Sequence, residues 1–201
     1  SIAGVTDISG NLIVASALNF TTEVGIDTAV TSIVNYSPVG NSEVASNVKL
    51  TLNYGERIDF VSVNSNSFTV YNNTQGRYVK GNYSLDETAT LVHFTPETPW
   101  TVGDNYRYYV RYLRDLAGNS LAASGWHYFT VVATDDVAAP VVVSSNIVDG
   151  MSNIAVNAPL KFKFDEALGA HCVNSNTVQL MLDGVAVEAQ LALSSDRKQI
   201  T

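Results

Sequence analysis

The stretch Asp115-Leu116-Ala117-Gly118-Asn119 has a near copy, Asp7-Ile8-Ser9-Gly10-Asn11, 108 residues earlier. That period is too long for a solenoid repeat and about the length of one compact domain. A short apolar stretch and then a strand-like run follow each copy, at residues 18–22 and 126–131. Asp-x-x-Gly-Asn therefore reads as the last hairpin of a repeated β-domain. Gly supplies a positive φ without steric cost, and Asp and Asn side chains bond nearby backbone. Asp7, Gly10, Asn11, Asp115, Gly118 and Asn119 are accordingly turn-structural residues.

Between the copies, runs of four to eight residues alternate apolar and polar, bounded by Gly, Asn, Asp and Pro, with no sustained helical period. Strands are expected at residues 30–36, 48–53, 67–71, 77–85, 90–94, 105–112 and 126–132. Tyr106, Tyr108, Val110 and Tyr112 fall on one face; Arg107, Tyr109 and Arg111 fall on the other. About seven strands with turns every 8–12 residues predict an all-β, two-sheet sandwich over residues 30–134. Residues 1–29 read as the C-terminal strands of a preceding domain plus a linker. Residues 135–201 read as a linker and the N-terminal part of a further domain. There Val173-Asn174-Ser175-Asn176-Thr177 repeats Val63-Asn64-Ser65-Asn66-Ser67 at an offset of 110, and Lys161-Phe162-Lys163-Phe164-Asp165 matches Lys49-Leu50-Thr51-Leu52-Asn53.

This ordered set, from Pro140 through Gly150, Ile154, Leu160, Phe162, Phe164 and Asp165-Glu166 to Leu193 and Asp196, resembles the bacterial Ig-like domain first described in S-layer proteins. Asp115-Leu116-Ala117-Gly118-Asn119 resembles that family's final turn. The middle copy departs from the pattern at Tyr54-Gly55-Glu56, where the family has an acidic strand end. The resemblance implies tandem spacer or display modules in secreted and cell-surface proteins, with no catalytic residues to carry over.

Composition excludes several partners. Eleven basic against nineteen acidic residues give a net charge of −8, which disfavours nucleic acid and anionic membranes. No run approaches the roughly 18 apolar residues of a membrane span. The single cysteine, Cys172, allows no disulfide within the chain. The chain opens inside a repeat, so the absence of a signal peptide says little about compartment.

Catalytic patterns are missing. His93, His127 and His171 fall in no metalloprotease spacing, and there is no Gly-x-Ser-x-Gly elbow, phosphate loop or Cys-x-x-Cys. His171-Cys172 and Asp165-Glu166 are adjacent pairs which, on strands, would face opposite ways. Four glycosylation sequons, at Asn19, Asn35, Asn72 and Asn82, matter only in a host with that machinery.

The expected function is a non-enzymatic extracellular spacer of a cell-surface, S-layer or fibre-forming protein, its partners being neighbouring Ig-like domains. No cofactor is required. Calcium is the one candidate, at Asp27, Asp135, Asp136 and Asp149 with Asn153 nearby, because oxygen-rich linkers suit a hard cation. The rival reading is a carbohydrate-binding or adhesive module, with glycan placed near outward-facing Tyr109 between Arg107 and Arg111. Two explanations fit the incomplete flanking units. In one, further chain completes them. In the other, Leu18 and Phe20 of one subunit insert against Leu160, Phe162 and Phe164 of the next, a head-to-tail contact that builds a fibre.

Overall fold

The computed structural model describes residues 1–17, 19–22 and 25–201; Leu18, Glu23 and Val24 lie outside the described residues. The middle of the chain is a two-sheet sandwich of β1 (Asn35–Ser37), β2 (Ser42–Ala45), β3 (Leu50–Asn53), β4 (Phe68–Asn72), β5 (Arg77–Tyr78), β6 (Gly81–Leu85), β7 (Leu91–Pro96), β8 (Asn105–Val110) and β9 (His127–Ala133). One sheet has the order β1-β3-β7-β6 and the other β2-β9-β8-β4-β5. All pairs are antiparallel except β2 with β9.

Side-chain alternation explains the core. Phe68 and Val70 on β4, Tyr106, Tyr108 and Val110 on β8, and Phe129 and Val131 on β9 point inward and are buried. They meet Leu50 and Leu52 of β3 and Val92 and Phe94 of β7 in one cluster. Trp100 lies in the same cluster and donates its indole N–H to Val48 O at 2.8 Å. Tyr108 crosses the core and donates its hydroxyl to Pro38 O at 2.7 Å, which satisfies a group that burial would otherwise penalise.

The structure differs from the sequence expectation at identifiable points. Nine strands form rather than about seven. Strand β2 is short and polar, with Glu43 exposed, and gives almost no alternation signal. The run 77–85 divides because the chain passes from one sheet, as β5, to the other, as β6. The run 105–112 stops at Val110. Tyr112 has φ of 57° and is 68% exposed, so it is not a core residue; the bend sends Leu113, at 0% exposure, into the core instead.

The C-terminal unit contains β10 (Val142–Ser145), β11 (Phe162–Phe164), β12 (Leu180–Leu182), β13 (Val185–Val187) and β14 (Gln199–Ile200). Its sheet β10-β11-β14 repeats the β1-β3-β7 arrangement, and the hairpin β12-β13 repeats β4-β5. A 3-10 turn at Ala170–Cys172 matches the one at Phe60–Ser62. After each, an Asn side chain, Asn174 or Asn64, accepts the N–H two residues on. Leu180, Met181, Leu182, Val185 and Val187 are exposed. In the middle sandwich, β8 and β9 complete the sheet that contains β4 and β5.

The N-terminal residues carry two isolated bridges, Ile2 with Ser16 and Thr6 with Leu12. The C-terminal strands expected in residues 1–29, including the run at 18–22, are not formed among the described residues.

Candidate functional site

The Asp115 turn is built by local bonds. Asp115 Oδ1 accepts the Asn119 N–H at 2.8 Å and Oδ2 accepts Asn119 Nδ2 at 2.8 Å. Gly118 donates its N–H to Asp115 O at 3.2 Å with φ of 89°. Burial pushes the Asp115 carboxyl up, but the Asn119 side chain and the backbone N–H groups of the turn outweigh it and hold the carboxyl below its ordinary value. Residues 7–11 form the same bonds. Asp7 Oδ1 accepts the Asn11 N–H, Oδ2 accepts Asn11 Nδ2, both at 2.9 Å, and Gly10 has φ of 85°. The Asn11 side chain, followed by backbone N–H groups, likewise holds the Asp7 carboxyl low.

The Asp115 turn also holds the incoming linker. Asn119 Nδ2 donates to Asp27 O at 3.1 Å. Asp27, Glu56 and Asp115 bring one carboxylate oxygen each to within 4.8 Å of one another. Glu56 Oε1 is buried and has no hydrogen-bond partner among the described residues. Such oxygens suit a hard cation, which takes six to eight of them. Sequence reading named Asp27 and missed Glu56. The repeat gave no signal for it, since the match of residues 161–165 to 49–53 sets Glu166 opposite Tyr54.

The other linker acids lie elsewhere. Beyond β9, Asp135 Oδ1 accepts Ser46 Oγ at 2.6 Å, and Asp136 exchanges two bonds with the Asn47 side chain at 2.6 and 3.2 Å. Asn47 precedes β3 and Glu56 follows it, so the two linkers are fastened at opposite ends of that strand. Asp149 and Asn153 are exposed in the loop between β10 and β11. Of the assembly residues, Phe20 is 85% exposed, Leu160, Phe162 and Phe164 are half-buried, and Leu18 lies outside the described residues.

Burial lowers the pKa of His93, His127 and His171. His93 Nδ1 lies 2.9 Å from the Thr51 hydroxyl, its partner across β3 and β7. The His127 ring packs against Tyr36 at 4.0 Å and Tyr108 at 4.9 Å. His171 and Cys172 sit on the 3-10 turn and not on a strand, which removes the argument from strand alternation. Asp165 follows β11 and accepts the Val141 N–H at 2.8 Å.

Tyr109 does face outward between Arg107 and Arg111, and its ring lies 5.1 Å from that of Trp126. Trp126, Tyr71 and Tyr78, which extend this face, were missed because cross-strand neighbours are invisible before the register is known.

Among the described residues, no helix is long and apolar enough to cross a membrane. No match was found among curated proteins. Among solved structures, the N-terminal part of the bacterial S-layer protein SbsC aligns over 85% of this chain and 37% of its own, at 13% identity and a TM-score of 0.41. A second SbsC structure, of domains 1–6, aligns over 60% of this chain and 16% of its own, at 13% identity and 0.41. CopC from Methylosinus trichosporium OB3b aligns over 54% of this chain and 99% of its own, at 18% identity and 0.42. The chain thus spans well under two thirds of the SbsC structures it matches. The family model of the bacterial Ig-like domain matches residues 27–131 and again 136–201. This chain belongs to the bacterial Ig-like domain family.

Proposed function

We propose that the chain is a non-enzymatic spacer in a cell-surface array, in which Ig-like sandwiches follow one another end to end. The observation that carries this reading is the fastening of both linkers at opposite ends of β3, through Asn119 to Asp27 and through Ser46 and Asn47 to Asp135 and Asp136. A sandwich held this way transmits tension along its long axis and fixes the direction of its neighbours. Bacterial Ig-like domains are typical of cell-surface proteins and are in general non-catalytic, which supports the same reading. Small-angle scattering of the chain and of Ser46→Ala/Asn47→Ala tests it. The expected result is a stiff, elongated particle that gains inter-unit flexibility in the variant. An unchanged scattering profile would sink the reading.

Calcium at the leading junction belongs to this proposal, with Asp27, Glu56 and Asp115 as ligands. Asp135 lies 108 residues after Asp27, so the next unit carries an equivalent of one of the three. Calorimetry should show Ca²⁺ binding that Glu56→Gln weakens; no heat with the unmodified chain ends the idea.

Assembly between copies is the finer part. Ile2, Val5 and Ile13 stand where the middle sandwich has Val110, Leu113 and Leu121, yet they are exposed. The apolar residues of β12 and β13 are exposed as well. The hairpin of one copy docking on this sheet of another would bury both. Light scattering should then show polymers that deletion of residues 1–22 abolishes, and a stable monomer would refute the docking.

A further inference from the structure

The outer face of the five-stranded sheet does more than the spacer role requires. A solvated sheet face needs only polar side chains. Tyr71, Tyr78, Tyr109, Trp126 and Tyr128 instead gather there, with Tyr112 beyond the end of β8 against Arg111, together half of the chain's ten tyrosines and two tryptophans. The other tryptophan, Trp100, is 4% exposed in the core, whereas Trp126 is 43% exposed and Tyr78 is 71% exposed.

These rings interleave with cations. The Arg107 guanidinium lies 4.8 Å from the Tyr71 ring centre and 4.5 Å from that of Trp126. Arg111 lies 5.8 Å from Tyr109 and 4.9 Å from Tyr112. Tyr78 meets Tyr71 edge-on at 5.1 Å. Arg107 Nε is buried yet has no hydrogen-bond partner among the described residues. A buried donor left unmet is costly, so it marks a place where an acceptor is wanted. Beside this ladder runs an open groove lined by Asn66, Tyr78, Lys80, Tyr109, Arg111 and Trp126. Lys80 and Arg111 face one carboxylate, Glu97, in the groove's lining, a basic balance in a chain of net charge −8.

We propose that this face binds an acidic polysaccharide. Flat aromatic faces suit the C–H face of a pyranose ring, and a planar guanidinium suits a carboxylate or sulfate in a two-pronged contact. Trp126 and Tyr109 stack on the sugar, Arg107 and Arg111 pair with its anionic group, and Asn66 and Lys80 donate from the groove's lining. A concave site with an apolar floor and a few convergent polar groups is the usual form of a small-ligand site. This activity goes beyond the spacer role and does not depend on it.

The test is calorimetry and tryptophan fluorescence of the 201-residue chain against oligogalacturonate, a sulfated dextran oligomer and neutral dextran. The expected result is saturable binding of an acidic oligomer that weakens with salt and perturbs Trp126 emission. Trp126→Ala and Arg107→Gln should each weaken it by about tenfold or more. Tyr78→Ser, at a highly exposed position, and Arg111→Gln should weaken it with thermal melting unchanged, which separates loss of site from loss of fold. Preference for oligogalacturonate identifies the anion as carboxylate, and preference for the dextran sulfate identifies it as sulfate; either supports the proposal. No binding of either at millimolar concentration, equal binding of neutral dextran, or binding indifferent to all four substitutions overturns it. So does a protein partner that binds this face of a chain which no glycan binds.

Discussion

The two Asp-x-x-Gly-Asn turns have the same bonds in opposite surroundings. Asp115 is 3% exposed, and Leu113 and Leu121 beside it are 0% and 5% exposed. Around Asp7, the matching Val5 and Ile13 are 52% and 40% exposed. Yet Leu121 N donates to Leu113 O at 2.8 Å and Ile13 N to Val5 O at 2.9 Å, and each turn closes with its Gly at positive φ. The hairpin is therefore a local product of five residues, while its energetic value comes from the sandwich that it closes. Hydrogen bonds in an exposed loop exchange evenly with water; the same bonds inside a sandwich are expensive to lose.

Mutations at paired positions sharpen that contrast. The largest effect is expected at the apolar pair. Leu113→Ala removes a fully buried side chain and should destabilise the middle sandwich by about 2–5 kcal/mol. Val5→Ala should leave its urea midpoint, read from Trp100 fluorescence, where it was. Equal effects would mean that the N-terminal hairpin is already docked. Next comes the carboxylate pair. Asp115→Ala strands the Asn119 N–H and side-chain amide and should cost about 1–3 kcal/mol, measured the same way. Asp7→Ala should not shift the sandwich transition.

Glycine comes third. No atom lies within 4 Å of a Cβ built on either Gly118 or Gly10, so only backbone strain opposes a side chain there. Gly118→Val should lower stability by about 1 kcal/mol, and Gly10→Val should leave the sandwich untouched. An unaltered midpoint for Gly118→Val would contradict the positive φ. The smallest effect is acid sensitivity. The Asp115 carboxyl titrates below its unfolded value of 3.8, so its stabilisation is present above that value and lost as pH falls through the folded pKa. Asp115→Asn should flatten the acid limb of the stability curve, and an identical limb would show that other groups dominate. Asp7 also titrates low, but it closes no core, so Asp7→Asn should leave the sandwich's acid limb unchanged.

Much of the fold was legible because its cause is short-range. Alternation at 67–71 and 105–112 located β4 and β8, and the offset of 110 paired residues 63–67 with 173–177, each of which follows a 3-10 turn in the structure. Strand β2 escaped because its pairing with β9, more than 80 residues away, carries it and its own pattern does not. The bend at Tyr112 escaped because its driving force is the burial of Leu113, which no local propensity reports. At the candidate sites the division is the same. Asp27 and Asp115 were visible as oxygen-rich linker and turn; their meeting with Glu56 was not, since β3 and its following loop bring Glu56 there.

By itself, then, the sequence determined the period, the faces of β4 and of β8 as far as Val110, and the internal bonding of both Asp-x-x-Gly-Asn turns, because each depends on residues within a few positions of one another. Tertiary structure alone decided which turn is buried, where the linkers are fastened, and how Tyr71, Arg107 and Trp126 from separate segments form one ladder. Those outcomes depend on strand register and on which sheet covers which, and the free energy that selects them is the burial of the shared core between the two sheets.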